Sequence, residues 1–191
     1  MSFHTPLVSD MKDVSILMRI VYQLYYLCFL LTIQHKRHFE PVLQVTHKLL
    51  IAGEFYASRD KYIELIKSLG IEDEIVLHDH FIPDGEVRNY FSAADCVVLP
   101  YKTATQSGVT QIAYNFRTPI IVTNVGGLSE IVPDGRVGYV AESSPEGVLC
   151  ALERIYEGDT LEQFCEAMTQ ERKRFSWAAM CDRIEELHTM L

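Results

Sequence analysis

Four short apolar runs, each separated from the next by a helix-length stretch, limit what this chain can fold into. They are Lys48-Leu49-Leu50-Ile51-Ala52-Gly53, Ile75-Val76-Leu77, Cys96-Val97-Val98-Leu99-Pro100 and Pro119–Thr123. Each is bounded by turn residues, rich in β-branched side chains and too short for a buried helix, so each reads as a buried strand. Between them, 58–69 places Tyr62, Leu65, Ile66 and Leu69 on one face and stops at Gly70. Asp84 is expected to cap a second helix through Ala94, with Val87, Tyr90 and Phe91 inward. A short final strand, Val137–Val140, follows the turn Pro133-Asp134-Gly135, and beyond it the pattern is helical over 145–156, 160–174 and 177–190. Strands alternating with helices imply an α/β fold, a Rossmann-like parallel sheet with helices on both faces.

Within that frame the stretch from Thr103 to Gly127 carries the chemistry. It reads as a polar loop ending in Gln106-Ser107-Gly108, a helix stopped before Pro119, the strand Ile120-Ile121-Val122, and a turn through Asn124, Gly126 and Gly127. The first-turn N–H groups of a helix have no partner within it and point out of its end. A loop feeding such an end at the top of a parallel sheet is where α/β proteins hold anionic ligands.

The net charge of -9 argues against a general nucleic-acid binder, which needs a basic surface for phosphates. The five cysteines, Cys28, Cys96, Cys150, Cys165 and Cys181, form no CxxC pair, so they support neither a zinc site nor a disulfide framework. They fit a reducing cytoplasm. His78 and His80 have strand spacing but no third ligand in view, so no metal is expected. The apolar stretch from Val14 to Ile33, interrupted by Ser15, Arg19, Gln23 and Thr32, leaves three readings open. It is a core element, a membrane-associated segment, or a leader; Arg19 and Gln23 inside the window weigh against a span. The chain therefore divides into an atypical N-terminal segment, 1–47, and a Rossmann-like domain, 48–191. Peripheral association with the inner face of a membrane stays open.

Several motifs occur in an order shared with one family. They are Leu50-Ile51-Ala52-Gly53, Phe81-Ile82-Pro83 with Glu86-Val87, and the run from Ser92 to Pro100. Pro119–Thr123, Val125-Gly126-Gly127 with Glu130-Ile131-Val132, and Asp134-Gly135 with Gly138 complete the set. Together they resemble the C-terminal half of group 1, family 4 type, retaining glycosyltransferases of the GT-B fold. The resemblance implies a domain that binds a UDP- or GDP-sugar donor without a cofactor, beside an acceptor domain absent from these 191 residues. It implies that the backbone at Ile82 contacts the base and that Gly53 and Glu54 line the cleft. It also implies that Ser107, Gly108 and Val109 present N–H groups to the donor diphosphate.

The departures from the family pattern are specific. Two glutamates with seven residues between them normally hold donor hydroxyls, because a carboxylate accepts several hydrogen bonds at once. Counted from Pro119 the second falls at Ile112, counted from Gly108 at Ala113, and the first at Ala104 or Thr105. No frame gives a carboxylate, and Gln106 and Gln111 are the nearest polar substitutes. The usual glycine turn with a basic pair is also missing before Lys48. Residues 25–31 are expected to replace the central strand through a parallel crossover, with Lys36 or Arg37 as a diphosphate ligand or a solvated basic loop. The family's catalytic histidine belongs to the missing domain, so no catalytic residue is assigned. The function expected is donor binding within a hexosyl transfer completed by a separate acceptor-domain chain. The alternative is a non-catalytic interaction or membrane-associated module derived from the same fold.

Overall fold

The computed structural model describes residues 30–36, 46–55 and 59–190. A six-stranded sheet organises them, with strands β1 (Leu30–Lys36), β2 (Thr46–Ala52), β3 (Ile75–His78), β4 (Cys96–Leu99), β5 (Ile120–Thr123) and β6 (Gly138–Ala141). Their spatial order is β3-β2-β1-β4-β5-β6. The helices are α1 (Arg59–Leu69), α2 (Asp84–Ala93), α3 (Gly108–Phe116), α4 (Leu128–Ile131), α5 (Pro145–Ile155), α6 (Thr160–Glu171) and α7 (Trp177–Thr189).

Side chains alternate across the central strands as the pleat requires. Cys96, Val98 and Ile121 join Tyr62, Ile66, Val148, Leu152 and Phe164 in a core under α1, α5 and α6. Val97, Leu99, Ile120 and Val122 join Tyr90, Phe91, Ala113, Tyr114 and Leu128 in a second core under α2, α3 and α4. β4 and β5 are buried along their whole length, as strands covered on both faces must be. Gly138 is required at the start of β6, because a Cβ there would stand 1.7 Å from the Ile120 carbonyl oxygen.

β2 and β3 pair in parallel, as do β4, β5 and β6. β1 is the exception and corrects the sequence reading. It is described over Leu30–Lys36, sharing only residues 30 and 31 with the expected 25–31, of which 25–29 lie outside the described residues, and it runs antiparallel to both β2 and β4. The strand is central, as expected, but there is no parallel crossover. Only residues 37–45, nine of them, separate β1 from β2, and a crossover needs a dozen or more. Antiparallel pairing reverses the strand's ends. Lys36 pairs with Thr46 while Leu30 pairs with Ala52, so Lys36 sits at the amino edge of β2, roughly 20 Å along the strand from Ala52. That is the wrong edge for a diphosphate ligand; Arg37 lies outside the described residues. So does most of Val14–Ile33, of which only residues 30–33 belong to β1. Among the described residues no helix is long and apolar enough to cross a membrane.

Smaller differences have local causes. Asp84 is the first residue of α2 and not its cap; Pro83 holds the cap position and makes no side-chain hydrogen bond. α3 ends at Arg117 in the left-handed conformation (φ 60°), two residues before Pro119.

Candidate functional site

The carboxyl ends of β2, β3 and β4 bring the expected site residues to one edge of the sheet. Gly53 and Glu54 leave β2, with Gly53 at φ 132° and its N–H donating to the His78 carbonyl at 2.9 Å. Ile82 follows β3 and packs against the second core, while Phe81 beside it is exposed. The loop after β4 leads to Ser107 and α3. β3, which leads to Ile82, and β4, which leads to α3, lie three strand spacings apart, roughly 14 Å.

Ser107 occupies the N-cap of α3, yet its hydroxyl does not cap the helix. It stands 3.2 Å from the Tyr101 hydroxyl instead. The Ser107 carbonyl accepts from the Thr110 N–H at 3.3 Å and the Thr110 hydroxyl at 2.6 Å. The N–H groups of Gly108 and Val109 therefore point out of an uncapped end, where helix geometry gives them no intrahelical acceptor. A Cβ added at Gly108 would meet nothing within 4 Å. The protein's own packing does not demand this glycine, and the space in front of it is free for a ligand's close approach.

The loop before Ser107 is fixed from two sides. Gly126 adopts φ 53°, and a Cβ on it would lie 1.7 Å from the Ala104 carbonyl oxygen. Gly127 N–H donates to the Thr105 carbonyl at 3.1 Å. On the other side the Tyr101 carbonyl accepts from the Thr123 hydroxyl and, at 3.5 Å, from Ser143. Tyr101 was not singled out from the sequence; its position directly after Pro100, at the strand end, was the available signal.

Burial separates the two frames for the acidic pair. Ala113 is fully buried in the second core, whereas Ile112 is exposed. Only Ile112 shares the exposed face with Gly108, one turn away, and Gln111 lies beside it on that face. The place of the second carboxylate is thus taken by an exposed isoleucine. Gln106, like Gln111, is exposed.

His78 serves the scaffold around this edge, and the exposed His80 ring stacks on it with centroids 5.9 Å apart. His78 Nδ1 lies 2.8 Å from the Tyr90 hydroxyl, and the two rings meet edge to face. A groove of about 290 Å³ opens here, lined by Leu50, His78, Glu86, Asn89 and Tyr90. Burial, then the nearby Glu86 carboxylate, holds the Tyr90 phenol above its ordinary pKa. Beside it, Arg59 bonds Asp79 and keeps that carboxyl below the usual range. Among the described residues no three His, Cys, Asp or Glu side chains gather in a way that could hold a metal ion.

A mostly parallel sheet with one antiparallel central strand, helices on both faces and a glycine-led helix at the carboxyl edge make a Rossmann-like α/β domain. The family model described as "Glycosyl transferases group 1" matches residues 30–158, more than half of the chain. The chain belongs to the group 1 glycosyltransferases. It is 31% identical over 134 residues to the D-inositol 3-phosphate glycosyltransferase of Corynebacterium diphtheriae, covering 69% of this chain and 31% of that protein. It is 26% identical over 138 residues to the glycogen synthase of Thermus thermophilus, covering 66% and 31%. The chain thus spans about a third of the length of these curated relatives. Its fold is that of sucrose-phosphate synthase from Thermosynechococcus elongatus (TM-score 0.64, 17% identity, 95% of this chain and 43% of that one). Anabaena HepE, solved in complex with UDP and glucose, superposes with a TM-score of 0.60 at 18% identity, over 96% of this chain and 46% of that one.

Proposed function

We propose that this chain is the donor-binding domain of a glycosyltransferase and that the uncapped N-terminus of α3 holds the donor diphosphate. The observation that carries the reading is the N-terminus of α3, left without a side-chain cap by Ser107, with open space around the missing Cβ of Gly108. In this reading Ser107, Gly108 and Val109 cradle the phosphates, since oriented amides and the helix dipole stabilise an anion there. The backbone at Ile82 meets the base and Gly53 with Glu54 lines the cleft between them, a separation that an extended nucleoside diphosphate bridges. Gln106 and Gln111 meet the sugar in place of carboxylates. The donor-binding domain occupies 48–191, with β1 contributed from upstream.

HepE structures with UDP and with UDP-glucose support a uridine donor over a guanosine one. The acceptor side of the reaction is the work of a second domain, so this domain by itself binds donor without turnover. In the family, charge builds on the departing diphosphate as the sugar leaves; here the α3 end is the group placed to receive it. The reading is tested by titrating the folded chain calorimetrically with UDP, GDP and ADP. Saturable heat with UDP, lost in Gly108→Val, supports it, and a folded sample silent to all three overturns it.

A further inference from the structure

Among the described residues three serines stand at the N-cap of an α-helix, and two of them cap it. Ser144 accepts from the Gly147 N–H at 3.0 Å, and Ser176 accepts from the Ala179 N–H at 3.2 Å. Ser107 opens α3 in the same extended backbone, with φ -139° and ψ 122° against -146° and 155° at Ser144. Its backbone therefore suits a cap, and by the same spacing the Thr110 N–H would be the partner. The Ser107 hydroxyl has turned to the Tyr101 hydroxyl instead, at 3.2 Å. The Thr110 N–H is left with the Ser107 carbonyl at 3.3 Å.

Tyr101 is well anchored for this task. Its carbonyl accepts from the Thr123 hydroxyl at the end of β5 and, at 3.5 Å, from the Ser143 hydroxyl just beyond β6. The residue is half-buried, and its phenol reaches six residues along the loop to Ser107. A serine cap and a bound phosphate compete for the same first-turn N–H groups. We propose that Tyr101 is a positioning residue for the donor diphosphate, holding the Ser107 hydroxyl off α3 so that the first turn stays open to phosphate. The inference rests on the donor reading above and adds a residue that acts through Ser107. Released from Tyr101, Ser107 gains a cap worth about fivefold in an equilibrium, and a phosphate must then displace it.

The test joins calorimetric titration of the full chain with UDP to amide hydrogen exchange of the ligand-free chain. Tyr101→Phe keeps the ring and the carbonyl contacts and removes the hydroxyl alone. It is expected to weaken UDP binding about fivefold and to slow exchange at Val109 and Thr110 by a similar factor. Adding Ser107→Ala removes the competing cap, so the double variant should regain most of the lost affinity and lose the added protection. A hydroxyl that merely stiffens the loop would leave the double variant no tighter than Tyr101→Phe, and that result overturns the proposal. Unchanged UDP affinity in Tyr101→Phe, or unchanged exchange at both amides, overturns it as well while the donor reading stands. An unsubstituted chain that is folded and silent to UDP overturns the donor reading, and this role with it.

Discussion

The N–H of Gly127 donates to the Thr105 carbonyl at 3.1 Å, tying the turn after β5 to the loop that feeds α3. Gly126 beside it approaches the same loop so closely that no side chain fits, and it does so at φ 53°. Both constraints act together in Gly126→Ala: the left-handed backbone disfavours a Cβ, and the Ala104 carbonyl must move to admit one. The variant is expected to lose roughly 2–5 kcal/mol of stability in urea unfolding. UDP affinity in the folded fraction should fall as well, because the displaced loop carries Ser107. An unchanged midpoint would show that the 103–107 loop is not held by this turn.

Gly108 gives the opposite signature. Nothing lies within 4 Å of its missing Cβ, and alanine is the better helix former by up to about 1 kcal/mol. Gly108→Ala is therefore expected to leave thermal stability unchanged or slightly raised. The same methyl occupies the space assigned to a phosphate, so UDP binding should weaken about tenfold in calorimetry. A variant that gains stability and keeps its affinity would remove Gly108 from the site.

How much of this was legible in the sequence depends on what each feature encodes. Strands β2 to β6 were readable because each is a compact apolar run between turn residues, and the α3 loop because Ser-Gly before a helix is a local signal. The direction of β1 was not readable: an apolar run does not say which way it points, and direction was decided by the short 37–45 connection. Nor could the sequence say where the Ser107 hydroxyl would turn, since its partner Tyr101 is brought near only by the folded loop. The necessity of Gly126 rests on Ala104, more than twenty residues away, and appears only when two strand ends are neighbours.

The two frames for the missing carboxylates make unequal demands. Glutamate at 113 would place an unpaired charge in the fully buried second core, and Ala113→Glu should cost about 3 kcal/mol or more. Ile112 is exposed on the Gly108 face, so Ile112→Glu should fold normally. Combined with Ala104→Glu, it is expected to raise affinity for UDP-glucose relative to UDP by roughly tenfold, the worth of a charge-assisted hydrogen bond to a sugar hydroxyl. Equal affinity for the two ligands in that variant would mean the sugar does not reach this face.

Tyr114 joins α3 to the end of α4 and provides a test by pH. Its ring is 2% exposed, its hydroxyl donates to the Ile131 carbonyl at 2.7 Å, and Phe175 packs on it at 5.0 Å. Burial pushes its pKa from 10 up to about 12, with Arg174 opposing part of the rise. The protonated phenol is the form the fold accepts, while the unfolded chain ionises near 10. Its contribution is therefore complete below pH 10 and is lost as pH rises from 10 through about 12. Tyr114→Phe removes the hydrogen bond but leaves the Ile131 carbonyl supplied by Arg174 at 2.9 Å, so it should cost only about 1 kcal/mol at neutral pH. Urea unfolding of both proteins at pH 8 and at pH 11 should show the gap narrowing at the higher pH. A gap that stays constant would mean the Tyr114 hydroxyl ionises as readily in the folded chain as in the unfolded one.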